Sequence, residues 1–306
     1  MRIISKSLFL CFLFIFSLDA GVEHCFKAAT NKPEPNGIEN IDFIYVINLD
    51  QRPERFQRTQ KVLLNFGIHP YRFSAVNGWE LPVTALTDLG VFYEPWMPQG
   101  TLCTVYRIVD GKDYVSNEIM KEEGIAYYCH CLSRGAIGCL LSHLSVLQDA
   151  YDSGYNTAWI MEDDIKVISN PHELSYFLDV LNQQNPDWDV FFTDMDIKGG
   201  DGKPVPCTMI RPRPLVELQP VEYYLKKTSL NSDITKIGMR FGSASMIVNR
   251  TGMKKILDYF KTYKIYFPYD IDYFFVPGIN MYACNVDVVT NISGGTSDNG
   301  KPSYLD

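Results

Sequence analysis

The sequence predicts an α/β fold with a mostly parallel central sheet. Three observations carry that prediction. Residues 41–49 (IDFIYVINL) are a dense apolar run, a helical stripe follows directly, and strand-like and helix-like segments keep alternating downstream.

The run at 41–49, rich in β-branched and aromatic residues, reads as a buried parallel strand. Pro53 suits a first helical turn, Phe56, Gln60, Leu63 and Leu64 form a stripe through 54–66, and Gly67 is a natural stop. Residues 71–76 read as a second strand, which completes a β-α-β start. Residues 78–128, broken by Pro82, Pro95 and Pro98, are the least regular part and read as an insertion. Order returns at Gly135, where Leu140, Leu144, Leu147 and Tyr151 recur at helical spacing before Gly154. The short strand 157–161 (TAWIM) runs straight into Glu162, Asp163 and Asp164, and 165–168 resume an apolar alternation. A helix over 171–183, a strand over 188–193 and a loop over 199–214 follow. Then come a strand over 243–248, a helix cap at Thr251, a helix with Met253, Ile256, Leu257 and Phe260 on one face, and a strand over 286–289.

The chain has 306 residues, 46% hydrophobic and 21% charged, with a formal net charge of −8. That composition is globular, not disordered, and its acidity disfavours nucleic acid as a partner. Arg2 and Lys6 precede an apolar run over 7–18, the pattern of a secretory signal over 1–20, with a short membrane anchor as the alternative. The expected organisation is therefore a signal over 1–20, a linker over 21–40 and one domain over 41–306. The localisation expected is the secretory route: a eukaryotic lumen, or a periplasmic, membrane-attached or secreted bacterial protein. Eight cysteines are present and Cys11 falls in the signal, which leaves an odd number. Cys129 and Cys131 are a close pair, but no second pair completes a zinc site, so a structural or disulfide role is expected.

The acidic triplet is the sharpest feature. Three carboxylates after a buried strand are costly unless positive charge sits among them, and a hard divalent cation such as Mg²⁺ or Mn²⁺ prefers such oxygen ligands. The carboxyl edge of an α/β sheet is also where ligands bind. In an extended segment Glu162 and Asp164 share a face, which leaves Asp163 to contact a neighbouring loop or a ribose. A solvated loop is the plain alternative.

The segment IYVINLDQRPER (44–55) resembles the N-terminal signature of glycosyltransferase family 25, which includes lipooligosaccharide and collagen galactosyltransferases. GAIGCLLSHLSVLQDAYDSGYNTAWIMEDDI (135–165) is similar to its central block, and FGSASMIVNRTGMKKIL (241–257) to its third. Asp270 and Asp272 in FPYDIDYFF look like its C-terminal acidic element. The resemblance runs with gaps from 41 to 289 and departs from the compact pattern at 78–128, the acceptor-side stretch.

The resemblance implies a GT-A-like nucleotide-sugar-binding fold and a UDP-sugar donor. It implies Mn²⁺ or Mg²⁺ held by Glu162 and Asp164, and inverting transfer of galactose or glucose to a glycan or protein hydroxyl. Inversion needs a carboxylate base, with Asp270 and Asp272 as candidates. Asn48, Arg52 and Arg55 after the first strand, Arg134 at a helix start, His143 and Asp163 are the expected donor-side residues. A solvated face competes for the arginines and a core position for His143. Association with a membrane surface is also expected. A binding protein of the same fold is the chief rival. A phosphohydrolase is weaker, since only five histidines are scattered along the chain.

Overall fold

The computed structural model describes residues 21–300 except 35–37, 98, 209 and 294–296. The signal expected over 1–20 lies outside the described residues. The first half contains β1 (Phe43–Asn48), α1 (Pro53–Leu64), β2 (Tyr71–Ser74), α2 (Val83–Leu89), β3 (Val91–Phe92), β4 (Leu102–Val109), β5 (Lys112–Ile119) and β6 (Ala126–Cys129). Next come α3 (Arg134–Asp152), β7 (Thr157–Glu162), β8 (Ile165–Val167), α4 (Glu173–Gln184) and β9 (Val190–Phe192). The remainder is α5 (Val221–Leu225), β10 (Lys227–Ser229), β11 (Ile234–Ile237), β12 (Ser245–Asn249), α6 (Arg250–Tyr263), α7 (Tyr269–Asp272), β13 (Met281–Cys284) and β14 (Val289–Asn291).

The main sheet has the order β10-β11-β13-β9-β12-β7-β1-β2. Strands β2, β1 and β7 run parallel, as do β9 and β13, while β12 lies antiparallel between the two groups. The alternation expected of a sheet buried on both faces is visible residue by residue. Phe43, Tyr45, Ile47, Ala158 and Ile160 join the core shared with α3 and α6. Ile44, Val46, Trp159 and Met161 join the core shared with α1 and α4. This is the three-layer arrangement expected of a GT-A-like α/β fold.

The stretch 78–128 is more ordered than its prolines suggest. It forms α2 and a second sheet of order β3-β6-β4-β5. Strands β4 and β5 turn at Asp110 and Gly111, whose φ values of 51° and 73° are those of a type I′ hairpin, which needs positive φ at both positions. The segment read as a linker packs on the domain in its described part. Val22 is buried, the Lys27 amide donates to Ser145 at 3.0 Å, and Lys32 pairs with Asp149 at 2.8 Å. The cap of α6 is Asn249, not Thr251. The Asn249 side chain accepts from the Gly252 amide at 2.8 Å, and the Thr251 hydroxyl donates to that same oxygen. No disulfide joins the described cysteines, although the Cys129 and Cys131 sulfurs lie 2.9 Å apart. No helix among the described residues is long and apolar enough to cross a membrane.

Candidate active site

Strands β1 and β7 end, and antiparallel β12 begins, at one edge of the main sheet. Ile47 lies opposite Glu162, and the Glu162 amide donates to the Ala244 carbonyl at 2.9 Å. Topology therefore delivers the acidic triplet to the place where three strands meet.

Glu162 Oε1 accepts from the Ser243 hydroxyl at 2.7 Å and lies 3.3 Å from His143 Nε2. His143 is fully buried and stacks on Tyr269 with ring centroids 4.5 Å apart. Burial pushes the Glu162 carboxyl up. The hydrogen bond and charge of His143, the Ser243 hydroxyl and Arg55 outweigh it, so the group sits below the ordinary glutamate range. His143 thus holds a carboxylate from a fully buried position.

Asp163 shares the Arg55 guanidinium with Asp164 and is otherwise held by β1 and α1. It accepts from Asn48 at 2.6 Å and from Arg55 at 2.7 Å, while its carbonyl accepts from Thr59 at 2.8 Å. It is a pin between β7, β1 and α1. Asp164 takes a second contact from Arg55 at 3.1 Å. Its carboxyl is pushed up to about 7 by burial and by the charge of Glu162, with Arg55 opposing. Arg55 also reaches Asp298 at 3.1 Å, Arg52 holds the other oxygen of Asp298 at 3.1 Å, and the Trp79 indole donates to the Asp298 carbonyl at 3.2 Å.

Two pockets meet at this edge. The first, about 610 Å³, is lined by Arg55, Val76, Trp79, Asp298 and all three carboxylates of the triplet. The second, about 590 Å³, shares Glu162 and Asp164 with it and adds Gly242, Tyr269, Asp270 and Asn291. Asp270 Oδ2 accepts from the Gly242 amide at 3.0 Å, and burial, with the charge of Glu162, raises its pKa. Sequence reasoning missed Trp79, Ser243 and Asp298, which join the site only through the fold.

The structure does not bring every expected residue to these pockets. Asp272 is fully buried and closed by Arg213 at 2.7 and 3.2 Å, by the Tyr259 hydroxyl at 2.8 Å and by the Phe267 amide. Asn48 is committed to Asp163, the Arg52 carbonyl and Arg72, so it braces the strand end. Arg134 spends its guanidinium on the carbonyls of Gly78 and Leu81. Of the two glycosylation-type triplets, Asn249 lies outside both pockets with its amide donating to the Trp188 carbonyl, whereas Asn291 lines the second pocket with its amide donating to the Lys198 carbonyl.

Glycines set the wall of the first pocket. A Cβ on Gly138 would sit 2.4 Å from the Gly78 nitrogen and 2.6 Å from the Val76 carbonyl. The start of α3 therefore packs backbone to backbone against the loop that lines the pocket. Gly138→Ala is expected to cost about 1–3 kcal/mol through overpacking and to weaken ligand binding in the first pocket. Thermal melts and nucleotide titration check this, and an unchanged melting temperature contradicts it.

The donor set fits a hard divalent cation. Ser243 and His143 engage the same oxygen of Glu162, and Arg55 engages one oxygen of Asp164, so each carboxylate keeps a second oxygen for a ligand. Among the described residues, the buried side-chain polar atoms without a partner are His143 Nδ1 and the Tyr269 hydroxyl, both beside this site. Cys139, His143 and Glu162 also bring ligand atoms within 4.8 Å of one another. Burial and the surrounding carboxylates raise the Cys139 thiol, while the carboxylates of Glu162 and Asp164 offer the oxygen donors a hard cation prefers.

The pH dependence follows in sign. Burial and the charge of Glu162 push the Asp164 carboxyl up to about 7 in the folded chain, from an ordinary 3.8, so its contribution to stability is fully present at low pH and is lost as pH rises through about 7. Without divalent metal, Asp164→Asn is expected to flatten the fall of melting temperature over that window. Identical pH profiles for the variant and the parent protein contradict the assignment.

A mixed α/β sheet with an acidic strand end between two pockets at its carboxyl edge is consistent with a GT-A-like fold. The family model described as glycosyltransferase family 25 (LPS biosynthesis protein) matches residues 41–275, and the chain belongs to that family. A Drosophila melanogaster protein named glycosyltransferase 25 family member is 27% identical over 52% of this chain and 21% of its own length. Procollagen galactosyltransferase 1-A of Xenopus laevis is 25% identical over 50% of this chain and 21% of its own. The human protein named inactive glycosyltransferase 25 family member 3 is likewise 25% identical, over 50% and 21%. These matches span about a fifth of the length of the curated relatives.

Proposed function

We propose that the chain transfers a hexose, galactose or glucose, from a UDP-sugar to a hydroxyl of a glycan or protein acceptor, with a divalent metal and with inversion at the anomeric carbon. The observation that carries this reading is the pair of pockets sharing Glu162 and Asp164, with Asp270 lining the second alone. One pocket suits a nucleotide and the other an acceptor, with the sugar between them. Glu162 and Asp164 would hold Mn²⁺ or Mg²⁺, which when bound neutralises charge on the departing diphosphate.

The chain's own residues supply the rest. His143 and Ser243 hold Glu162 in one orientation. Arg55 ties Asp163, Asp164 and Asp298 to α1 at the wall of the first pocket and so offsets part of the carboxylate charge where phosphate oxygens would lie. Trp79 offers an indole beside that charge. Asp270, held by the Gly242 amide, accepts the proton of the acceptor hydroxyl as it attacks. A secretory-route location belongs to the same proposal and is supported by the apolar run after Arg2 and Lys6.

A second reading, a nucleotide-sugar-binding protein without turnover, is favoured by the human relative named inactive. The two readings separate in an assay with UDP-galactose and UDP-glucose and the acceptor replaced by water. Early-time NMR of the released sugar is expected to show the β anomer from the α-linked donor. The α anomer contradicts inversion, and binding without any release favours the second reading.

A further inference from the structure

We infer that the chain forms a two-fold dimer by pairing β5 with β5 of a second copy, antiparallel and edge to edge. Strand β5 is the outer strand of the four-stranded sheet and has eight residues without a proline. Folded proteins usually blunt such an edge with proline, bulges or inward charge. Here the middle of the edge is uncharged and exposed, with Tyr114 at 51% and Val115 at 59%. Ile119 beside it, and Leu102, Ile108 and Val109 on β4, are also exposed apolar residues. Val115, Ile119, Leu102 and Ile108 share one face of the β4–β5 ladder and Tyr114 and Val109 the other, so both faces carry exposed apolar side chains beside the open edge.

Symmetry narrows the register. A two-fold antiparallel pair keeps each strand's faces on the same side, so residues opposite one another differ by an even number of positions. Centred on Val115, the pairing sets Lys112 opposite Glu118 of the second copy, twice, with Val115 meeting Val115 at the axis. Asp113 then faces Asn117 and Tyr114 faces Ser116, so no like charges are opposed. Centred on Ser116, Tyr114 faces Glu118 and the charge pairing is lost. Centred on Tyr114, Asp110 faces Glu118, like against like. Glu118 accepts from both Arg107 guanidinium nitrogens and from the Ser116 hydroxyl, which fixes its carboxylate at the edge that Lys112 of the second copy would meet. Opposite-charge pairs at both ends and apolar contact at the axis are what cross-strand stabilisation requires.

The inference is independent of the transferase reading, and its test needs no donor or acceptor. Sedimentation of the full chain is expected to show a reversible dimer. Val115→Lys sets two ammonium groups face to face at the axis and Lys112→Glu sets Glu against Glu at both ends. Each is expected to weaken association by about tenfold or more, since ~1.4 kcal/mol is a factor of ten. Both positions are exposed, so the circular dichroism spectrum is expected to stay that of the parent chain. A monomer at all concentrations, or a dimer insensitive to either substitution, overturns the proposal.

Discussion

Asp270→Asn is expected to lower sugar transfer by about 10²–10⁴-fold, the usual worth of a general base, while donor affinity holds. Asp270 lines the second pocket with Glu162 and Asp164 but does not line the first, so its loss leaves the donor side intact. Burial and the negative charge of Glu162 raise its pKa, which makes the carboxylate a better proton acceptor than a solvated one. The amide is nearly isosteric and can still meet the Gly242 backbone, so folding is spared. Transfer rates beside donor titrations check the split. Unchanged transfer removes Asp270 from the reaction, and a parallel loss of donor affinity assigns it to the donor instead.

Arg213→Met is expected to act on stability. It leaves Asp272 fully buried with its ion pair gone, and breaking a buried pair from one side costs about 3–5 kcal/mol. The expected fall in melting temperature is on the order of 10 °C. The double variant Arg213→Met with Asp272→Leu removes both charges and is expected to recover much of that loss, because an apolar replacement of a buried pair is often near neutral. A single variant as stable as the parent chain contradicts the pairing. The comparison also separates the two aspartates: one works on the fold of the 263–272 segment, the other on the pocket.

The sequence made the centre of this site legible because its signals are local. A buried strand cannot end in three carboxylates without a reason, and the stripe of Leu140, Leu144 and Leu147 places α3, with His143, against that strand. The i, i+2 spacing of Asp270 and Asp272 already allowed one to face the site without the other, but which one depends on Arg213, 59 residues from Asp272. Asp298 was unreadable for the same reason, since its partners Arg52 and Arg55 lie 246 and 243 residues away. The β4–β5 hairpin carried a local signal, the Asp110-Gly111 pair, which the surrounding prolines and glycines outweighed. Strand β13 has no polar alternation to announce it, because it is buried on both faces. The antiparallel direction of β12 is set by its neighbours, not by its own residues.

The central claim is that Glu162 and Asp164 hold a divalent cation against a nucleotide-sugar donor. The most direct measurement is calorimetric titration of UDP-galactose and UDP-glucose with and without Mn²⁺, comparing the parent chain with Asp164→Asn. The account predicts metal-dependent binding of one donor by the parent chain and loss of that dependence in a variant that remains folded. Donor binding indifferent to Mn²⁺, or metal dependence surviving in the Asp164→Asn variant, would contradict it.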